Sequence, residues 1–317
     1  MPLSLEQYAT YLDTRRDLSW PAAPEVERPK ARPHLVKMPN VRAVLWNVYG
    51  TLVAISGGDL VFTHPQSFVM GMALEKTIQE FKMWAAMSRK PGQPSEYLVH
   101  IYEKELDKLR LGPGGGERHP EIAAEMVWEA IIKKLLQKDY KFDAGFFGAL
   151  NEYSRKVAYF FHASLQGTGC YPGAAEALQQ VAGAGLTQGL LADGQCFTTI
   201  QMQRGLTKQD GGAKLDTLLS DGACALSYEI RGRKPSDRLF RKALDALHTQ
   251  GIESSQILHV GSRVQQDVIP ARKLGMRTAL FAGDKASVQA TPEQIKDTAS
   301  RPELMLTELN QIAEVVG

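Results

Sequence analysis

Arg42-Ala43-Val44-Leu45-Trp46-Asn47-Val48-Tyr49-Gly50-Thr51-Leu52 is the stretch on which the fold of this chain turns. It opens as a short apolar run and closes on Tyr-Gly-Thr, the pattern of a buried strand entering a tight loop. Three similar runs recur far downstream, at Leu186–Ala192, Gln256–Val260 and Arg277–Ala282, with a weaker one at Leu215–Ser220. Helical patterns lie between them, at Gly173–Ala184, Cys196–Arg204, Ser236–His248 and Gln265–Leu274. Strands alternating with helices of this length predict an α/β fold, a Rossmann-like parallel sheet with helices on both faces. Ligands of such sheets sit at the carboxyl ends of the strands, near the switch in strand order.

Between the first strand and the second the pattern changes. Residues 63–164 hold no strand-like run and read as four helices, about 66–88, 95–110, 119–138 and 143–163, an all-helical block over the ligand end of the sheet. Met72, Ile78, Phe81 and Trp84 are expected on the apolar face of the first, and Ile122, Met126, Trp128 and Ile132 on that of the third. The connector Gly112-Pro113-Gly114-Gly115-Gly116 lacks the Lys-Ser/Thr and the preceding strand of a phosphate loop, so it reads as a helix–helix link. Residues 1–40 differ again. Ser4 and Gln7 have capping-box spacing ahead of a short helix, and five prolines from Pro21 to Pro39 then keep the chain extended. This arm is either a strap on its own domain or a docking segment for a protein partner.

Composition narrows the classes. The chain has 317 residues, 44% hydrophobic and 23% charged, enough apolar material for about two packed domains. Lys plus Arg total 37 against 35 for Asp plus Glu, a formal +2, which argues against a nucleic-acid partner. No stretch approaches the ~18 apolar residues needed to cross a bilayer, so no membrane role is expected. Cys170, Cys196 and Cys224 form no disulfide framework or metal knuckle, and with no secretory signal they read as reduced thiols in a cytoplasmic protein. His119, His162, His248 and His259 are scattered and read as core or surface residues.

Four strand-end features line up in order: Asn47-Val48-Tyr49-Gly50-Thr51-Leu52, Ala192-Asp193-Gly194, Lys234-Pro235-Ser236, and Gly261-Ser262-Arg263-Val264-Gln265-Gln266-Asp267. The ordered set resembles the haloacid dehalogenase (HAD) superfamily of phosphatases and dehalogenases, with a helical cap after the first strand. The resemblance covers about 41–317 and implies a core made of 41–62 and 165–317 with a cap at 63–164, leaving only the N-terminal arm, 1–40, outside it. It also implies a chemistry. An Asp at the end of the first strand attacks phosphorus or a halogenated carbon, forming an ester that water later hydrolyses. Phosphatases add a general acid–base Asp two residues on and a magnesium ion, whereas dehalogenases have Tyr there and no metal. A Ser or Thr after the second strand, a Lys after the third and loop amides hold the anion.

This sequence departs from that pattern at the centre. Asn47 stands at the nucleophile position and is neutral, Tyr49 replaces the phosphatase acid–base, and Ala192 replaces the hydroxyl donor. Ser262 fills the first acidic position of the last motif and Val264 replaces the Asn expected of a dehalogenase. Asn47, Tyr49 and Lys234 are the candidate catalytic positions, and Gly50, Thr51, Ala192, Asp193 and Lys234 the candidate anion-binding ones. Asp267, helped by Asp193 or Asp221, is the candidate metal ligand, too little charge for tight magnesium binding. Removing the charge at 47 while keeping Lys234 is expected to make the pocket more positive. Arg231, Arg233 and Lys234 either steer an anion or form a solvated loop. Three functions stay open: a HAD-like protein with impaired chemistry that binds a small anionic metabolite or regulates, an active phosphatase or dehalogenase, and a structural subunit of a larger assembly.

Overall fold

The computed structural model describes residues 1–87, 93–112, 116–220 and 222–316. Its strands are β1 (Ala43–Trp46), β2 (Val53–Ile55), β3 (Thr168–Cys170), β4 (Thr187–Ala192), β5 (Ala225–Leu226), β6 (Ile257–Gly261), β7 (Arg277–Phe281) and β8 (Leu304–Leu306). Six of them pair in parallel in the order β5-β4-β1-β6-β7-β8, and β2 and β3 make a separate antiparallel pair. β1 lies between β4 and β6, where the strand order switches, so its C-terminal end is the natural site position. Its side chains alternate: Val44 and Trp46 enter one apolar layer, Ala43 and Leu45 the other, as a sheet covered on both faces requires.

The helices are α1 (Leu5–Thr14), α2 (Ser67–Glu80), α3 (Pro94–Leu111), α4 (Ala124–Leu136), α5 (Ala144–Phe147), α6 (Leu150–Leu165), α7 (Ala174–Gly183), α8 (Thr198–Gln209), α9 (Leu215–Leu218), α10 (Ser227–Ile230), α11 (Asp237–His248) and α12 (Ile269–Lys273), followed by two short C-terminal ones. Helices α2 to α6 share one apolar cluster around Phe81, Trp128, Tyr153 and Phe160.

Several expectations change here. Leu215–Ser220 is not a strand but the short helix α9 and a turn, and the outer strand is the two-residue β5 instead. β5 lies beside β4 because Gly189 lets Ala223 approach so closely that a Cβ would meet the Ala223 carbonyl at 2.0 Å. The expected Gln265–Leu274 helix begins as a wide π turn at Val264–Val268. Met72 and Trp84 point outward, 46% and 59% exposed: Met72 lies off the α2 face that buries Met70, Ala73, Leu74, Thr77 and Ile78, and Trp84 falls beyond α2, which ends at Glu80 before Lys82 takes a left-handed conformation. Pro113–Gly115 of the glycine-rich connector and Asp221 lie outside the described residues.

Residues 1–40 are woven into the rest. α1 carries its capping box at Ser4 and Gln7 and buries Tyr8, Ala9 and Leu12 in the helical cluster. Arg15 bridges to Glu80 at 2.8 Å, and Trp20 meets the Phe160 ring edge-on at 5.2 Å. The chain then passes so close to Gly167 that a Cβ there would meet the Ala22 carbonyl at 1.9 Å. It ends as a β-bridge between His34 and Met305 on the outer strand β8.

Because Leu12 is fully enclosed, Leu12→Ala is expected to cost about 2–4 kcal/mol. The exposed Thr10→Ala on the same helix should stay within about 0.5 kcal/mol. Chemical denaturation of the two variants against the parent checks this.

Candidate functional site

Asn47 follows β1 directly and its backbone N–H continues the ladder to the Val260 carbonyl at 2.8 Å. Its side chain is buried and fully used. Oδ1 accepts from Lys234 Nζ at 2.7 Å, while Nδ2 donates to the Tyr49 carbonyl at 2.8 Å and to Thr51 Oγ1 at 3.3 Å. The loop that follows closes on itself: the Gly50 amide donates to the Val53 carbonyl, and the amides of Thr51, Leu52 and Val53 all point to Val48 O. The Gly50 and Thr51 amides expected to hold an anion are therefore spent inside the turn. Gly50 needs its positive φ of 78°, and a Cβ there would lie 2.9 Å from Ser262 Oγ.

Lys234 reaches the same point from the segment after α10. Its ammonium bridges Asn47 Oδ1 and Asp267 Oδ1, with both charged side chains almost wholly enclosed. Asp267 can fold back under the loop because Gly261 has no side chain; a Cβ would sit 2.2 Å from the Asp267 Cγ. The second carboxylate oxygen accepts from the Arg263 amide at 3.0 Å, and His259 Nε2 lies 3.2 Å from Oδ1. Burial by itself would raise the Asp267 carboxyl, but the Lys234 ammonium and His259 outweigh it and hold it well below the usual carboxylate range. Burial pushes the His259 ring down, so at neutral pH it carries one N–H for two acceptors, Asp267 and the Leu45 carbonyl at 3.0 Å.

The remaining candidates separate. Tyr49 is enclosed at the seam between sheet and helices, its hydroxyl donating to Gln201 Oε1 at 2.6 Å and lying 3.0 Å from Thr198 Oγ1, and burial pushes its pKa up, away from acid–base work. Ala192 ends β4 fully buried and offers no side-chain donor. Asp193 accepts from the Lys234 backbone N–H at 2.7 Å, so it positions the lysine segment rather than a ligand; burial raises its pKa. Arg231 is solvent-exposed, whereas Arg233 turns inward to Asp59 and Asp193 at 3.7 and 3.8 Å. The expected surplus of positive charge at Lys234 is cancelled by Asp267, and Arg233 beside it is itself paired with Asp59 and Asp193.

Sequence reasoning gave no site role to Arg263, Asp59 and Glu121, and it read His259 as a core or surface residue; the structure buries it beside Asp267. A polar residue inside the apolar strand Ile257–Gly261 was the signal for His259. Arg263 is buried and reaches Asp59 Oδ2 at 2.9 Å and the Gly58 carbonyl. No pattern announces Asp59, which belongs to the chain leaving β2 for the helices. Glu121, at the entry to α4, accepts from Ser227 Oγ at 2.6 Å. Burial lifts its carboxyl to about 7.

The donor set does not fit magnesium. Asp267 is the one carboxylate at the centre, both its oxygens already accept hydrogen bonds, and an ammonium occupies the space between it and Asn47. Among the described residues no group of three His, Cys, Asp or Glu is arranged to hold a metal ion. The thiols of Cys170 and Cys196 are pushed up by burial, that of Cys170 to about 12, which leaves them unreactive. No helix among the described residues is long and apolar enough to cross a membrane.

With this geometry in place, comparison with known proteins is informative. The HAD-hydrolase-like family model matches residues 231–312, the stretch carrying Lys234, His259 and Asp267. The 2-haloacid dehalogenase from Pseudomonas syringae pv. Tomato DC3000 superposes with a TM-score of 0.51 at 16% identity, over 86% of this chain and 97% of that one. The HAD phosphatase from Thermococcus onnurineus gives 0.47 at 14% identity over 86% and 97%, and a predicted phosphoglycolate phosphatase from Haemophilus somnus 129pt gives 0.46 at 15% over 87% and 98%. No curated protein matches the sequence. Residues 231–312 thus match the HAD-hydrolase-like family, and the chain shares the α/β fold of the 2-haloacid dehalogenase over most of its length.

Two measurements test the electrostatics. Lys234→Met leaves the buried Asp267 charge without its ammonium and should cost about 3–5 kcal/mol, whereas Lys234→Met with Asp267→Asn should cost less than the two single changes added, which a double-mutant cycle reads out. For Glu121 the sign runs opposite to an ordinary carboxylate. With a folded pKa raised to about 7, it favours folding most below its unfolded value of 4.5 and loses that contribution as pH rises towards 7. Glu121→Gln should therefore raise the melting temperature at pH 8 and leave it nearly unchanged at pH 4.5.

Proposed function

We propose that this chain is a HAD-fold protein that no longer performs the covalent hydrolysis of its superfamily and instead binds a small anionic metabolite at the seam between sheet and cap. The observation that carries this reading is the hydrogen bonding of Asn47. Its amide N–H₂ faces a backbone carbonyl, a partner that an Asp carboxylate would repel, so the loop is fitted to the neutral amide. A carboxamide oxygen already accepting from Lys234 is a poor nucleophile towards phosphorus or carbon. Two cationic side chains from neighbouring strand-end segments, Arg233 and Arg263, support anion binding as the retained property.

The experiment is turnover of p-nitrophenyl phosphate with magnesium, and of 2-chloropropionate without it, followed by intact mass of the protein. No product and no adduct are expected from the parent. Asn47→Asp is expected to remain inactive and to lose about 1–3 kcal/mol of stability, because it sets a carboxylate oxygen against the Tyr49 carbonyl. Turnover by the parent, accompanied by an ester or phosphoryl adduct at Asn47, would overturn this reading in favour of a working hydrolase.

A further inference from the structure

Lys234 is a poor place for a ligand, since Asn47 and Asp267 already take its ammonium. The arginines beside it are different. Arg233 and Arg263 come from two separate strand-end segments and turn onto one carboxylate, that of Asp59. Arg263 Nη1 donates to Asp59 Oδ2 at 2.9 Å, and Arg233 Nη2 lies 3.7 Å from the same oxygen. Arg263 is 6% exposed, and its Nε, like the fully buried Ser262 Oγ, finds no partner among the described residues. A planar guanidinium with a spare buried donor, its Nε, close to a second guanidinium and with an unpaired hydroxyl on the preceding residue, is the equipment of an oxyanion site.

Asp59 is the movable member of this arrangement. Its side chain is 38% exposed, against 13% for Asp193 and 1% for Asp267. It follows Gly57 and Gly58, both at φ 69°, in the turn that leaves β2 for the cap. The backbone of that turn is clasped from the returning chain. Gln166 Nε2 donates to the Asp59 carbonyl at 3.2 Å, and Gln166 Oε1 accepts from the Val61 amide at 2.8 Å. The carboxylate can therefore swing away while its backbone stays anchored.

We propose that the Arg233–Arg263 pair is an oxyanion subsite and that Asp59 is its internal occupant, which an incoming carboxylate or phosphate group displaces. The exchange trades one anion for another, so neither guanidinium is left buried and uncompensated. This rests on the small-anion reading above and gives that ligand a position and a built-in competitor. If Asp59 vacates the pair in about a tenth of molecules, apparent affinity is reduced roughly tenfold.

Isothermal titration with inorganic phosphate and, separately, acetate tests this on the parent, Asp59→Asn and Arg263→Gln, each first shown by its thermal melt to be folded. The expected result is binding about tenfold tighter in Asp59→Asn than in the parent, and none in Arg263→Gln, with the favoured probe telling carboxylate from phosphate ligands. Equal or weaker binding in Asp59→Asn shows that Asp59 does not compete and overturns the proposal. Binding undiminished in Arg263→Gln does the same, moving the anion elsewhere while leaving the small-anion reading intact. Silence from the parent and Asp59→Asn alike, with both probes, rejects the small-anion reading and this subsite with it.

Discussion

The closed end of the sheet depends on one buried ammonium. Lys234 joins the end of β1 through Asn47 to the loop after β6 through Asp267, so three chain segments meet on one charge. Removing a lysine and an aspartate from water costs several kcal/mol for each ion, and such a pair persists only where the remaining lone pairs and protons are used. Here both Asp267 oxygens are engaged: the Arg263 amide donates to the second Asp267 oxygen and His259 approaches the first.

That balance gives the departures from the superfamily pattern a common physical meaning. A carboxylate at position 47 would place two anions on one ammonium and call for a second cation. Asn47 removes that demand, and Ser262 removes a further acid from the last motif. The centre becomes neutral as a group and sealed by its own side chains. Arg233 and Arg263 lie beside this centre, where the crossover carrying Asp59 pairs with both. The helical cluster is tied down nearby by polar contacts as well: Gln195, after β4, accepts from the Ala124 amide at 2.8 Å and donates to the Ile122 carbonyl at 2.9 Å. The arm adds a third connection, from α1 inside the helical cluster to His34 on the outer strand.

Periodicity and strand-end motifs made the α/β fold, the four longer strands and the place of Asn47, Lys234 and Asp267 legible in the sequence, because those signals are local: apolar runs of strand length, and polar residues where a run stops. β5, β8 and the β2–β3 pair escaped, being two or three residues long and held by neighbours rather than by pattern. What only the tertiary structure decided was partnership. Whether Lys234 faces an incoming anion or Asp267, whether the Gly50 and Thr51 amides are free or spent, and that Asp59 meets an arginine 204 positions away are outcomes of packing. A linear sequence records which charges exist, but the sign and availability of a site depend on which of them are folded against each other.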